Sequence, residues 1–269
     1  MAIVTLTTDW GNRDFYNGAF KGKLIASLPE VQIVDISHEI EPYNIAQAAF
    51  VLRQAFHEFP PGSIHVVSVN ATASRNSPHV FVEMEGHYFI GADNGLLSLL
   101  SNESPTKIIE IDIPQDSPYF IFPARDIFVK SAAHIAKGHK AEELGFVKDK
   151  LRDIVPWKSS TDKDPESGHD RISGRVIYVD NYGNCHTNIH EDEFSRVRKN
   201  RPFNIHLPAT TIEQDKLFDA YDDVSEGKML ALISSTGYLQ IAINQGPASQ
   251  LLGLEAYEST IIVEFTDFG

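Results

Sequence analysis

The first half of the chain alternates short β-branched runs with windows in which apolar residues recur at helical spacing, and this alternation restricts the fold most. Strands separated by helices pair in parallel, because the crossover helix returns the chain to the same end of the sheet. We therefore predict an α/β N-terminal domain with a mainly parallel sheet flanked by helices. The predicted strands are 2–7, 31–36, 64–69, 80–83, 88–90 and 108–113, and the predicted helices are 16–28, 44–56 and 127–137.

The second half has a different pattern. Residues 156–170 (PWKSSTDKDPESGHD) replace apolar side chains with Ser, Asp, Lys and Pro, which is typical of a linker. Short strand-like runs dominate after it, with few helical windows between them. We predict three parts: an α/β domain over 1–155, a linker over 156–170, and a smaller, mostly β, barrel-like domain over 171–269. The predicted strands of the last part are 172–179, 203–207, 229–233, 239–243 and 260–265.

Length and charge limit the classes of partner. The 269 residues are 42% hydrophobic, enough apolar surface for two cores. Asp and Glu number 37 against 23 Lys and Arg, a formal charge of -14 that repels nucleic-acid phosphates and anionic lipids. We expect no nucleic-acid partner and no membrane partner, and a small molecule as ligand.

Cysteine content and hydropathy indicate the compartment. Cys185 is the single cysteine of the sequence, so no internal disulfide can form. The first residues lack the basic flank and apolar stretch of a signal peptide, and no apolar run approaches the roughly 20 residues of a membrane helix. We predict a cytoplasmic protein.

Four polar segments stand where apolar runs stop, which is where α/β proteins place ligand contacts. Together they predict a small-molecule site. They are 7–14 (TTDWGNRD), 93–97 (DNGLL), 180–184 (DNYGN) with 187–189 (TNI), and 234–239 (SSTGYL).

Two of these segments allow two interpretations each. Asp9 follows the first predicted strand, where a carboxylate can accept hydrogen bonds from a ribose diol, but Asp9 or Asn12 can equally cap the next helix. In segment 180–184 an aromatic ring beside an amide can bind adenine, although the same residues are ordinary β-hairpin chemistry. The sequence has no P-loop and no G-x-G-x-x-G motif, which favours a nucleoside without phosphates.

The 11 histidines are scattered along the sequence. His38 follows the second predicted strand and is a candidate general base or metal ligand, but no other histidine lies at ligand spacing near it. A hydrogen-bonded loop histidine is the favoured interpretation. The same interpretation applies to His65, His87 and His186.

In order and spacing, six segments resemble the S-adenosylmethionine (SAM) hydrolases, or hydroxide adenosyltransferases, and the related fluorinase and chlorinase. The resemblance runs from about residue 3 to residue 265. It implies an α/β N-terminal domain, a β C-terminal domain, and a homotrimer with active sites between neighbouring subunits. The segments are 7–22 (TTDWGNRDFYNGAFKG), 33–45 (IVDISHEIEPYNI), 89–98 (FIGADNGLLS), 122–128 (FPARDIF), 179–189 (VDNYGNCHTNI) and 234–244 (SSTGYLQIAIN).

The resemblance also implies roles for single residues. Asp9 would hold the ribose hydroxyls, and Tyr43 would pack against the sugar. Tyr182 and Asn184 would bind adenine, and Asp180 and Ser235 would hold the amino-acid end of methionine. The predicted substrate-binding positions also include Phe122, Ala124 and Thr236. The implied substrate is SAM or adenosine, with no metal and no further cofactor, and the implied reaction is displacement at the ribose 5′ carbon.

The sequence departs from the family where the nucleophile should be held. Family hydrolases carry an Asp in Asp-Pro-Gly-Val-Gly, an Arg soon after it, and a His in Phe-His-Gly-Arg-Asp. Here the first stretch reads VNATASR over 69–75, two residues shorter, and the second has Pro123 in place of the His. The predicted water-orienting residues are therefore Arg75, Thr72 and Ser74.

Three functions follow from this departure. The first is a SAM hydrolase that forms adenosine and L-methionine with a degenerate water-activating triad. The second is a catalytically weak or inactive protein that binds SAM or adenosine as a sensor or sink. A SAM-dependent halogenase is less favoured, because fluorinase has an insertion before its counterpart of residues 89–91 and a hydroxyl where this chain has Ala124.

Overall fold

A computed structural model of the chain describes residues 1–214 and 216–266. It divides into two compact units, the first from Met1 to Val155 and the second from Pro156 onward. Within the described ranges, no helix has the length and apolar character needed to cross a bilayer.

The first unit is a seven-stranded sheet with order β2-β1-β3-β5-β4-β6-β7, covered by helices on both faces. Its elements are β1 (Ile3–Thr8), α1 (Tyr16–Ser27), β2 (Gln32–Ser37), α2 (Ile45–Ala55), β3 (Ile64–Ser68), β4 (His79–Met84), β5 (His87–Ala92), β6 (Lys107–Ile111), α3 (Val129–Ala136) and β7 (Gly145–Val147).

The prediction of a mainly parallel sheet is wrong for half of this sheet. The pairs β1–β2, β1–β3 and β3–β5 are parallel, whereas β4–β5, β4–β6 and β6–β7 are antiparallel. One reversal is made by a tight turn between β4 and β5 at Glu85 and Gly86, which have φ of 53° and 76°. A two-residue turn with positive φ at both positions joins antiparallel strands, so β4 and β5 form a hairpin.

Alternation along the strands gives the first unit two cores. Val4 and Leu6 of β1 lie in the cluster that includes Phe20 of α1 and residues of α3. The opposite face carries a second cluster, in which Leu52 of α2 packs with residues such as Phe89. Side chains of successive strand residues point to opposite faces, so each face needs its own helical cover.

The second unit is an antiparallel sheet with order β12-β11-β15-β9-β10-β14-β13, in which β8 also pairs with β9. The Gln214 side chain links the two end strands: its Nε2 donates to the Ala231 carbonyl at 2.9 Å, and its Oε1 accepts from the Ala231 N–H at 3.1 Å. The predicted mostly β, barrel-like domain is confirmed. Its elements are β8 (Ser160–Lys163), β9 (Asp170–Val179), β10 (Cys185–His190), α4 (Glu191–Arg198), β11 (Phe203–His206), β12 (Thr211–Gln214), β13 (Met229–Ile233), β14 (Tyr238–Ile243), α5 (Ala248–Leu252) and β15 (Thr260–Phe265).

The stretch predicted as a linker, 156–170, contains strand β8. Every residue of β8 is exposed, so its polar composition is that of an edge strand as well as that of a linker. Arg171 of β9 holds it through two hydrogen bonds to Asp162, Nε to Oδ1 at 2.5 Å and Nη2 to Oδ2 at 3.0 Å.

Candidate functional site

Three parallel strands end side by side at one edge of the first sheet. β1 ends at Thr8, β2 at Ser37 and β3 at Ser68, and the three are neighbours in the sheet. In open α/β sheets, ligands bind beyond the carboxyl ends of the strands. The polar residues that follow these strands are therefore candidates for ligand contact.

Asp9 connects the segments that follow β2 and β3. Its Oδ2 accepts backbone N–H hydrogen bonds from Tyr43 at 3.0 Å and from Asn70 at 3.2 Å. Both donors have left-handed backbones, with φ of 67° and 47°. Such conformations cost non-glycine residues about 1–3 kcal/mol, persist where the surroundings enforce them, and cluster at functional sites. The Oδ1 atom of Asp9 takes no part in these two bonds, and the Tyr43 side chain is 73% exposed.

Two further side chains hold the carbonyl groups of the segment after β3. The amide Nδ2 of Asn94 donates to the carbonyls of Val69 at 3.0 Å and of Asn70 at 3.1 Å. The Nε2 of His79 lies 2.9 Å from the carbonyl oxygen of Ala71. Burial lowers the pKa of His79, so the neutral ring carries its proton on Nε2 to make this bond. Residues 69–71 are therefore fixed by side chains from three different strand ends.

The residues predicted to orient water lie beyond this fixed part. Ser74 and Ser77 exchange two backbone hydrogen bonds, at 3.0 and 3.1 Å, which makes Arg75 and Asn76 the central residues of a tight turn. Thr72, Ser74 and Arg75 are all exposed. In the first unit the predicted catalytic residues thus lie on an exposed part of the loop after β3, and only the first residues of that loop, 69–71, are held by side chains.

The helix-capping interpretation of Asp9 and Asn12 is wrong. Helix α1 has Phe15 at its N-cap and no side-chain cap hydrogen bond. Asn12 instead donates from Nδ2 to Oε1 of Glu39 at 2.6 Å, across to the segment after β2. Both residues that could have capped the helix connect neighbouring segments at the sheet edge.

His38 has the hydrogen-bonded loop role that the sequence favoured. Its Nδ1 lies 2.7 Å from Thr8 Oγ1, and its Nε2 lies 3.2 Å from Asp35 Oδ1. Burial lowers its pKa although Asp35 acts in the opposite direction. The ring also stacks on Trp10, with centroids 6.3 Å apart.

Phe122 and Ala124, both predicted to contact the substrate, are buried in the first unit, with exposures of 7% and 0%. The Phe122 ring packs edge-on against Trp10, with centroids 5.5 Å apart, and the Arg125 guanidinium lies 5.4 Å from its centroid. Ala124 begins a π-helical turn that leads into α3. In the single chain these residues support the aromatic cluster, and their contact with a substrate stays a prediction.

In the second unit, Asp180 shapes the turn between β9 and β10. Its Oδ1 accepts the N–H groups of Tyr182 and Asn184, both at 2.9 Å, and its Oδ2 accepts Nδ2 of Asn184 at 2.9 Å. Gly183 has a φ of 83°, and a Cβ there would lie 2.8 Å from Cα of Pro247. The hairpin interpretation is therefore confirmed. The same hairpin presents the Tyr182 ring, 79% exposed, as an adenine-binding role requires.

A buried polar network joins this hairpin to the loop 234–236. His186 of β10 is 6% exposed, and its Nε2 lies 3.7 Å from Oδ2 of Asp180 and 2.9 Å from Nε2 of Gln240. Its Nδ1 lies 3.5 Å from Oγ of Ser234, which is 2.7 Å from Oγ1 of Thr236. His186 thus lies between two segments that are far apart in sequence, within 3.7 Å of the hairpin carboxylate and 3.5 Å of the loop hydroxyl.

The structure brings the predicted residues together in two groups. Asp9, Tyr43 and the segment 69–75 form one group in the first unit; the hairpin 180–184 and the loop 234–236, with exposed Ser235, form the other in the second. Sequence reasoning missed Asn94 and His79 as structural supports of these groups. It predicted a hydrogen-bonded His186, which is confirmed, but in a loop, whereas His186 lies in strand β10. Of the two missed residues, only Asn94 gave a signal, because it stands in the polar DNG segment that ends a strand.

Fold and site define a two-domain protein in which an α/β domain and a β domain each carry candidate ligand residues. Residues 4–145 match the family model of the SAM hydroxide adenosyltransferase N-terminal domain, and residues 174–260 match that of the C-terminal domain. The chain belongs to the SAM hydroxide adenosyltransferase family. The resemblance inferred from the sequence motifs is confirmed.

Individual relatives are similar over nearly the full length. The (R)-S-adenosyl-L-methionine hydrolase of Methanocaldococcus jannaschii is 31% identical over 97% of this chain and 95% of its own length. A fluorinase of Nocardia brasiliensis is 26% identical, with 94% of each chain covered. The crystal structure of an uncharacterized conserved protein from Thermotoga maritima superposes with a TM-score of 0.84 at 30% identity, covering 97% of this chain and 99% of that one.

Proposed function

We propose that this chain is an enzyme that hydrolyses S-adenosyl-L-methionine to adenosine and L-methionine. The observation that carries the proposal is the 31% identity to a (R)-S-adenosyl-L-methionine hydrolase over 97% of the chain, through both domains. The geometry at Asp9 supports it. A carboxylate that enforces two left-handed backbones at the end of β1 is an arrangement typical of a binding site.

Each substrate part has its own proposed receptor. Asp9 accepts hydrogen bonds from the ribose hydroxyls, and Tyr43 packs on the sugar. Tyr182 stacks on the adenine while Asn184 bonds its edge. Asp180 and Ser235 hold the amino-acid end. Phe122, Ala124 and Thr236 complete the proposed set of binding residues.

The reaction is an in-line displacement. Oxygen of water or hydroxide forms a bond to the ribose 5′ carbon, the bond from that carbon to sulfur breaks, and its electron pair stays on sulfur as methionine leaves as a neutral thioether. No general acid is needed for such a leaving group, so catalysis consists mainly of aligning a partly desolvated nucleophile. The proton of the attacking water passes to solvent.

Water orientation falls to the loop after β3. Arg75, Thr72 and Ser74, or the backbone amides beside them, replace the Asp and His found in family hydrolases. Asn70 and Pro123 occupy the two altered positions, and neither the Asn side-chain amide nor the proline ring, whose nitrogen is part of the peptide bond, takes up a proton at neutral pH. We therefore expect slow hydrolysis whose rate rises with pH as hydroxide becomes available.

A second candidate function is binding of SAM or adenosine without significant turnover, as a sensor or sink. The specific observation that favours it is the pair Asn70 and Pro123 at the positions of the missing Asp and His. The proposed binding residues would serve both functions equally.

A product assay separates the candidates. The purified protein is incubated with SAM, with and without fluoride or chloride, and the nucleosides are separated by chromatography. Adenosine and methionine in equal amounts support hydrolysis, and 5′-halo-5′-deoxyadenosine would identify a halogenase. Unchanged SAM together with calorimetric binding of adenosine would establish the sensor or sink.

The assembly is proposed on the family resemblance alone. We infer a homotrimer whose sites lie between neighbouring subunits, and light scattering tests it against the monomer mass of 30.0 kDa. A stable monomer that binds adenosine at full strength would contradict the composite site. The cytoplasmic location and the absence of a metal or further cofactor stay predictions.

A further inference from the structure

We propose that His186 is a positioning residue for the amino-acid end of the substrate, because its neutral ring bonds to Gln240 and faces the loop 234–236 while leaving the nearby Asp180 carboxylate available to the substrate. The inference rests on the proposed function, since it concerns the same substrate. Its basis is the position of His186, which is buried and lies between Asp180 and Ser234.

The hydrogen bonds define which nitrogen of His186 carries the proton. The Tyr221 hydroxyl donates to Oε1 of Gln240 at 2.8 Å, and the same amide presents its Nε2 to the histidine. That amide nitrogen donates to Nε2 of His186 at 2.9 Å, and the imidazole proton is therefore on Nδ1. Nδ1–H faces the hydroxyl of Ser234 at 3.5 Å. Each group thus donates to the next, from Tyr221 through Gln240 and His186 to Ser234 of the loop 234–236.

Protonation of His186 would break this arrangement at two places. A new Nε2–H would point at the amide N–H groups of Gln240, forcing the amide to turn so that Oε1 accepts from His186 and Nε2 donates to the Tyr221 hydroxyl. The same proton would face Oδ2 of Asp180, now 3.7 Å away, and draw that carboxylate into an ion pair. Asp180 is the group proposed to hold the ammonium of the substrate, so the protonated ring competes with the substrate.

The groups around His186 determine the direction of the pH effect. Asp180 faces it from the hairpin, the Tyr178 ring lies on β9 with its centroid 5.7 Å from the imidazole, and Tyr221 acts through Gln240. Burial lowers the pKa of His186 below 6.5, while Asp180 opposes this. Near neutral pH, therefore, His186 is neutral in nearly all molecules. Binding of the amino-acid end is lost as the pH falls through the pKa of His186 in the folded protein.

The effect is selective for one part of the substrate. The Oδ1 of Asp180 accepts the backbone N–H groups of Tyr182 and Asn184, so the hairpin backbone stays in place when Oδ2 turns toward His186, although Nδ2 of Asn184 then shares Oδ2 with the imidazole. Adenosine has no ammonium and no carboxylate, and its binding should not respond to the charge of His186.

The test compares two ligands by calorimetry from about pH 7.5 down to the pH at which nitrogen-15 NMR shows His186 to be protonated. S-adenosylhomocysteine has the same amino-acid end and a poor leaving group, and adenosine lacks that end. We expect the dissociation constant of S-adenosylhomocysteine to rise about tenfold per pH unit below the pKa of His186, and that of adenosine to change less than about twofold. In the His186→Gln variant, which cannot titrate, the affinity for S-adenosylhomocysteine should be flat over this range.

A matched control and a second measurement complete the test. His206→Gln removes a histidine of the same unit that contacts Glu264 and Thr211, and it should retain the wild-type pH profile. Nitrogen-15 NMR of the unliganded wild-type protein should show the neutral Nδ1–H tautomer of His186. The Tyr221→Phe variant should show a smaller population of this tautomer.

Each contrary result has a distinct meaning. Affinity for S-adenosylhomocysteine that is independent of pH, or an Nε2–H tautomer, would overturn this inference alone. Failure of both ligands to bind at about pH 7.5 would overturn the proposed function together with the inference.

Discussion

The two groups of candidate residues are supported in different ways. In the first unit only the base of the loop after β3 is held, by Asp9, Asn94 and His79, while Arg75 stands on an exposed turn. In the second unit the binding segments rest on the buried network of His186 and Gln240.

The difference teaches that binding and water activation depend on different kinds of structure. Buried hydrogen-bonded networks fix their members in one arrangement, whereas exposed turns have few contacts and open locally at low cost. We therefore expect ligand binding to be sensitive to substitutions at the anchored residues. Catalysis should be the property that is weak in this chain and easily changed at the turn.

The largest expected effect comes from restoring the two missing groups. Asn70→Asp together with Pro123→His returns a carboxylate and an imidazole, and general-base assistance is typically worth about 100- to 10,000-fold in rate. Asp accepts the left-handed backbone of position 70, and Pro123 has helical angles that His can adopt. The rate of adenosine release from SAM should rise within this range.

The control for this pair is Asn76→Asp, which adds a carboxylate at the tip of the same loop and should leave the rate unchanged. An equal gain from the control would indicate a general charge effect. No gain from the double variant would mean that residue 70 points away from the reacting atoms.

Removing Asp9 should have the next largest effect. It tests whether the hydrogen bonds that hold the start of the loop after β3 are needed for ligand binding. Asp9→Ala releases the N–H groups of Tyr43 and Asn70 and removes the proposed ribose acceptor. Charge-assisted hydrogen bonds of this kind are worth about 1.5–3 kcal/mol, so adenosine affinity should fall about 10- to 150-fold in calorimetry. Asp14→Ala, at an exposed carboxylate of the same segment, should bind adenosine normally. Equal losses in both variants would remove Asp9 from the site.

A smaller loss is expected at the hairpin of the second unit. Asn184→Ala removes an amide that is 7% exposed and leaves Oδ2 of Asp180 without that donor. Adenosine binding should weaken by about 1–3 kcal/mol, the usual cost of leaving a buried polar group, here on the adenine base, without its hydrogen-bond partner. Asn181→Ala changes an exposed amide of the same turn and should have no effect. Full-strength binding by the Asn184 variant would show that another group binds the adenine edge.

The smallest expected effect lies at the exposed turn. Arg75→Ala should lower the rate of SAM hydrolysis about tenfold if the guanidinium orients the nucleophile by a charge-assisted hydrogen bond. Adenosine affinity should not change, because the anchored residues are intact. Asn76→Ala, at the other central position of the turn, serves as the control. Fast hydrolysis that neither variant alters would mean that a different group activates the water.

Much of the fold could be predicted from local patterns. Runs such as 64–69 and 229–233 became strands because β-branched and apolar residues were bounded by turn residues, and the windows 16–28 and 44–56 became helices by their periodicity. Strand direction was not predictable from periodicity. The Glu85–Gly86 turn reverses the chain within two residues and makes β4 and β5 antiparallel, and β6 and β7 also join the sheet in antiparallel pairs.

The amino-acid pattern alone determined the family, the order of the two domains and the polar segments that carry the candidate ligand residues. Each of these depends on residues that are near one another in the chain. Only the tertiary structure decided that Asp9 binds the backbones of Tyr43 and Asn70, and that His186 lies between Asp180 and Ser234. These partners lie on different strands and loops. Their hydrogen bonds depend on strand order and register, which are set by packing across the whole sheet.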